Sequence, residues 1–127
     1  MLTIFRLYII YTKTNRQTGN VYVGRASGLV SAISEKMVEW IRRRRENAPH
    51  HKNKEGFQQA VTVNFTTDYE AARGYEQLLY EKFNKEGKSA AQNAPVSDRN
   101  PKKSAYIKAA LALFGDVLLV ALLMKFI

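Results

Sequence analysis

Apolar residues in this chain gather in short runs divided by polar breaks, and the spacing within each run predicts an element. Residues 2–11 hold Leu2, Ile4, Phe5, Leu7, Tyr8, Ile9, Ile10 and Tyr11, a density of bulky and β-branched side chains that suits a buried strand. A polar loop over residues 12–20 ends in Gly19-Asn20. Val21-Tyr22-Val23 then predicts a second, short strand that stops at Gly24, with Ser27-Gly28 continuing the break. Two apolar runs around a polar loop with glycine near its end read as a β-hairpin. Ser31 can cap a helix over residues 32–47, where Ile33, Met37, Trp40 and Ile41 recur at three- and four-residue spacing and define an apolar face. Pro49 stops that helix, because the residue before a proline disfavours helical geometry.

Beyond a polar loop over residues 50–56, Val61, Val63 and Phe65 alternate with Thr62, Asn64 and Thr66, which predicts a half-buried strand over residues 60–66. Thr67 or Asp68 can cap a second helix reaching about Lys85, with Gly87 as its stop. On that helix Ala72, Tyr75, Glu76, Leu79 and Phe83 share one face. The stretch holding Asn93, Pro95, Asn100 and Pro101 reads as irregular, and residues 105–127 are strongly apolar. The order β-β-α-β-α-loop-α gives an α+β fold: a small three-stranded, mainly antiparallel sheet flanked by helices. The expected division is a main domain over residues 1–103 and an apolar helical segment over residues 104–127.

Composition narrows the class of partner. A chain of 127 residues is one domain, and 46% apolar with 24% charged residues is ordinary for a globular fold and unlike a disordered tail. The formal net charge is +9, from 20 Lys and Arg against 11 Asp and Glu, which favours a polyanionic partner through counterion release. Such charge fits a ribosomal or membrane-surface protein equally well. The absence of cysteine excludes disulfides and thiolate metal sites and agrees with a reducing cytoplasm. Residues 1–11 lack a basic lead and a small-residue cleavage site, so they read as a strand rather than a signal peptide.

Between Lys108 and Lys125 lie 16 residues that include Gly115 and Asp116. A membrane span needs ~20 apolar residues, and a central aspartate costs a few kcal/mol on insertion scales. The expectation is a helix to Phe114, a break at Gly115-Asp116 and a second short helix, packed on the domain or on a second copy in a homodimer rather than anchored in a membrane.

Ile9-Ile10-Tyr11, ten intervening residues, then Tyr22-Val23-Gly24 resembles the paired tripeptides of the GIY-YIG nucleases, with Ile9 where the family carries glycine. An arginine-bearing helix, a strand, a helix with a glutamate and a later asparagine follow in the family's order, so the resemblance covers roughly residues 5–100. The stretches Tyr22 to Gly28, His50 to Asn53 and Ala72 to Gln77 look closest to the toxin-like branch.

What the resemblance implies is a metal-dependent endonuclease that hydrolyses DNA phosphodiester bonds with Mg²⁺ or Mn²⁺. In-line attack on phosphorus needs an activated water, charge stabilisation on the non-bridging oxygens and help for the leaving oxygen. Glu76 is the implied metal ligand; a carboxylate on an apolar helical face is costly unless it is paired or bound to a metal, the plainer alternative being an ion pair with Arg73. Tyr11 and Tyr22 are the implied proton-handling groups, with a neighbouring arginine and metal expected to lower their pKa values. Among Arg42 to Arg45, the apolar face of the helix leads to Arg44, whereas the family's spacing to a histidine points to Arg45 before His50. Arg42, Arg25 and Gly24 are candidate substrate contacts, and Asn93 matches the family's final asparagine. Two other classes stay open: a nucleic-acid-binding module of the same fold that does not cut, and a membrane-associated basic protein.

Overall fold

The computed structural model describes residues 3–47 and 51–123. Its elements are β1 (Phe5–Thr14), β2 (Val21–Val30), α1 (Glu35–Asn47), a short 3₁₀ turn (His51–Glu55), β3 (Val61–Thr66), α2 (Tyr69–Lys85) and α3 (Lys103–Leu123). The strands form one antiparallel sheet in the order β2-β1-β3.

β1 lies in the middle of that sheet and is covered on both faces, as its continuous apolar run requires. Leu7, Ile9 and Tyr11 pack with Ala26, Val30, Val38, Ile41 and Ala60 on the α1 side. Ile10 packs with Val23 and with Ala71, Ala72, Tyr75, Leu79, Ala110 and Phe114 on the side of α2 and α3. Each fully buried Leu or Ile contributes about 1.5–3 kcal/mol, so this strand anchors both cores.

The hairpin turns through Asn15, whose Oδ1 accepts from the backbone N–H of Gln17 and Thr18, with Gly19 at φ 75°. β2 does not stop at Gly24. It pairs with β1 from Tyr11↔Gly24 to Phe5↔Val30, since the cross-strand register carries Gly24, Ser27 and Gly28 through as ordinary strand positions. α1 begins later than expected, and Ser34 rather than Ser31 caps it by accepting from Met37 N–H. Asp68 caps α2 by accepting from Ala71 N–H, and Gly87 ends it at φ 69°.

β3 alternates as expected, but with its apolar residues on the more exposed positions. Its register against β1 shifts between Ile10 and Tyr11, so the strand carries a bulge, and Val61, Val63 and Phe65 are the exposed residues while Thr66 is buried.

α3 is one continuous helix through Gly115, which corrects the expected break there, and nothing lies within contact of the position a Gly115 Cβ would take. Tyr106, Ala110 and Phe114 bury against α2, with Phe114 edge-on to Tyr75 at 4.8 Å between ring centroids. Gly74 makes this crossing close, because a Cβ there would stand 1.9 Å from the Tyr106 carbonyl oxygen. No helix among the described residues is long and apolar enough to cross a membrane.

Candidate active site

Tyr11 and Tyr22 come from neighbouring strands, and their rings lie 6.4 Å apart between centroids. Tyr11 is fully buried, and its ring rests directly on Gly24, where a Cβ would meet ring atoms at 2.4–2.7 Å. Packing against Tyr11 thus requires glycine at this position. Gly24 is therefore roofed by Tyr11, not open to a phosphate as its assignment as a substrate contact requires.

Burial pushes the Tyr11 phenol well above its ordinary value, with Tyr22, Glu76 and Glu46 adding to the rise and Arg45 opposing it. Tyr22 is raised too, first by burial; Arg45 and a hydrogen bond with Tyr11 oppose the rise, and Glu76 adds to it. The expected lowering by a neighbouring arginine is present, and desolvation outweighs it. Both phenols are hydrogen-bond donors at neutral pH.

Glu76 stands on the face of α2 shared with Ala72 and Leu79, as its spacing predicts, and is only 8% exposed. Its ion-pair partner is Arg25, on β2, with Arg25 Nη1 donating to Glu76 Oε1 at 3.3 Å. Burial raises the Glu76 pKa to about 6, against the pull of Arg25 and then Arg73. Arg73 contributes charge, but its hydrogen bonds go to Tyr69 Oη and the Pro95 carbonyl. Arg25 also lies over the Tyr69 ring, 5.4 Å from its centroid. The tyrosine pair belongs to the α1 side of the sheet and the Arg25–Glu76 pair to the α2 side. The two remain close enough that the Glu76 charge raises both phenols.

The arginine run of α1 is oriented differently from the expectation. The buried residues are Val38, Ile41 and Arg42, while Ile33 and Trp40 are about half exposed. The helix is rotated so that Val38 and Ile41 pack against Leu7, Ile9, Tyr11, Ala26 and Val30 of β1 and β2. Arg44 consequently points outward, over Trp40, and donates to the Ser27 carbonyl. Arg45 is half-buried, and its charge acts on both Tyr11 and Tyr22. Arg42 is not a phosphate contact: it is buried, donates to the Ala60 carbonyl and pairs with Glu39.

Other residues build the surroundings. Lys13 continues the inward alternation of Leu7, Ile9 and Tyr11, and its buried Nζ donates to Glu46 and to Asn53 Oδ1. Lys52, also buried, donates to the Ala91 carbonyl and lies 5.9 Å from the Tyr22 ring centroid. Gln92 bonds both the N–H and the C=O of Val23 through its side chain, which extends the edge of β2. The stretch holding Asn93, Pro95, Asn100 and Pro101 is irregular as expected, and the segment just before it is tied to β2, with Val21 N–H donating to the Lys88 carbonyl and Ala90 N–H to the Val21 carbonyl. That attachment sets Asn93 beside Tyr22, where both line an open depression of about 730 Å³ with Ala91 and Gln92. Strand alternation signalled Lys13; nothing local in the sequence signalled Lys52 or Gln92. His50 lies outside the described residues.

Comparison of the chain with family models, with curated proteins and with solved structures gave no match.

Proposed function

We propose that this chain is a metal-dependent endonuclease domain of the GIY-YIG type, hydrolysing DNA phosphodiester bonds. The observation that carries the proposal is the Glu76 carboxylate, buried at a cost and electrostatically coupled to the buried Tyr11 and the half-buried Tyr22. A strongly basic chain that buries a carboxylate whose charge reaches two phenols, with Arg45 acting on the same phenols, has the ingredients that phosphodiester hydrolysis requires.

Arg45 is the phosphate-binding cation in this reading, replacing Arg44, because it is the arginine that acts on the tyrosines. Tyr22 is the phenol that meets the attacking water, since it borders the open depression whereas Tyr11 is enclosed. Tyr11 positions Tyr22 through their hydrogen bond. Asn93 and Arg25 contact the substrate at the rim.

Among the described residues no three His, Asp or Glu side chains gather, so these residues build no cage of protein ligands. One carboxylate is a donor set that fits Mg²⁺ or Mn²⁺, which complete their shells with water and substrate phosphate oxygens. When bound, such a cation supplies positive charge that neutralises Glu76 and so removes one cause of the raised Tyr22 pKa.

A second reading, a DNA-binding module that does not cut, is favoured by the existing Arg25–Glu76 pair, which already gives the carboxylate a cationic partner. Cleavage of supercoiled plasmid with Mg²⁺, against EDTA and against Glu76→Gln, separates the two.

A further inference from the structure

Trp40 is the chain's one tryptophan, and 48% of its surface is exposed on α1. It is held in place. The Arg44 guanidinium carbon lies 4.5 Å from the indole centroid, and Arg44 Nη2 donates to the Ser27 carbonyl at 3.2 Å. Gly28 leaves space for that arm, since a Cβ there would stand 3.0 Å from Arg44 Nη2. The guanidinium therefore lies over one face of the indole and ties it to β2, and a ligand ring would stack on the other face. Lys36, Arg43 and Asn47 complete an open depression of about 700 Å³ around it. The carboxylate in its lining, Glu39, is hydrogen-bonded to Arg42, which holds its pKa below the ordinary value.

An exposed indole costs hydrophobic free energy, and three cations beside it favour a polyanion. One ligand chemistry meets both features: a strand whose phosphates pair with the cations and whose unpaired base stacks on the ring. A base in a duplex has both faces covered by its neighbours and cannot make that contact.

We propose that this face of α1 binds single-stranded nucleic acid, with a base stacked on Trp40 and phosphates on Lys36, Arg43 and Arg44. Arg44 and Arg45 are successive residues, one facing Trp40 and the other acting on Tyr11 and Tyr22. A strand held at Arg45 thus continues over the outer face of α1. That path rests on the nuclease reading; binding of single strands by the Trp40 platform stands without it.

The test uses the Glu76→Gln chain in EDTA, so that nothing is cut. Labelled oligothymidylate of about 12 nucleotides, an abasic oligomer of equal length and a duplex of equal length are titrated at low ionic strength. Label anisotropy and Trp40 fluorescence are followed together. The expected result is that thymidylate quenches Trp40 and binds about tenfold more tightly than the abasic oligomer. Trp40→Ala should erase that preference while leaving abasic binding and the circular dichroism spectrum unchanged, and Trp40→Phe should retain part of it. Equal affinity for thymidylate and abasic oligomer, equal quenching by the duplex, or an unaltered preference in Trp40→Ala overturns the proposal. The face would then take charge alone or a protein partner. Absence of cleavage by the unmutated chain with Mg²⁺ defeats the nuclease reading and leaves this binding result standing.

Discussion

Arg25 Nη1 and Glu76 Oε1 lie 3.3 Å apart, in a pair whose carboxylate side chain is 10% exposed and whose arginine side chain is 27% exposed. The arginine does not fully compensate the carboxylate, because burial still raises Glu76 to about 6. A side chain kept in an unfavourable charge state has a measurable thermodynamic signature.

The folded-state pKa of Glu76 lies above its ordinary value of 4.5, so the folded chain holds the proton more tightly than the unfolded chain. Its contribution to stability is greatest below pH 4.5, falls as pH rises through about 6 and is constant above that. The loss amounts to roughly 2 kcal/mol, from a shift of about 1.5 pH units at 1.36 kcal/mol each. Glu76→Gln should therefore be more stable than the parent at pH 7.5, by up to ~2 kcal/mol, and nearly equal to it at pH 4. Urea unfolding of both proteins at the two pH values measures this. A mutant less stable than the parent at pH 7.5 would show that the Arg25 ion pair outweighs desolvation.

Arg45→Ala should lower the cleavage rate constant by at least ~100-fold, as loss of a transition-state contact does. Arg44→Ala should raise KM with kcat nearly kept, because Arg44 lies on the outer face with Trp40. Steady-state kinetics on a defined DNA substrate separates the two effects.

Two glycines are predicted to resist substitution and a third to accept it. Gly24→Ala drives a methyl group into the Tyr11 ring and should cost about 1–3 kcal/mol. Gly74→Ala meets the Tyr106 backbone and should cost more, since a carbonyl on a packed helix cannot swing aside. Gly115→Ala has open space in the middle of α3 and should gain about 0.5–1 kcal/mol. Denaturant midpoints rank the three.

The parts of the fold legible in the sequence were those set by local periodicity. The strands, the caps at Asp68 and Gly87 and the inward position of Glu76 all follow from spacing within one element. What was illegible depended on neighbours. The rotation of α1 places Val38 and Ile41 inside and Trp40 outside, and only the shape of the sheet beneath decides that. The extension of β2 through Gly24 and Gly28 is fixed by its register with β1 and by the Tyr11 ring, both remote from those glycines in sequence. β3 carries a bulge against β1 and leaves Val61, Val63 and Phe65 exposed, which the alternation of its residues does not anticipate. At the site, Tyr11, Tyr22 and Glu76 were identifiable as candidates, whereas Lys52 and Gln92 act through backbone groups of distant segments and leave no local signal.

The most direct test of the central claim is the cleavage of supercoiled plasmid at pH 7.5 by the parent chain and by Glu76→Gln. Reactions carry Mg²⁺ or Mn²⁺, with an EDTA control. Nicked and linear products are expected from the parent only with the cation, and none from Glu76→Gln despite its equal or greater stability. Cleavage by Glu76→Gln at the parental rate, or by the parent in EDTA, would contradict it.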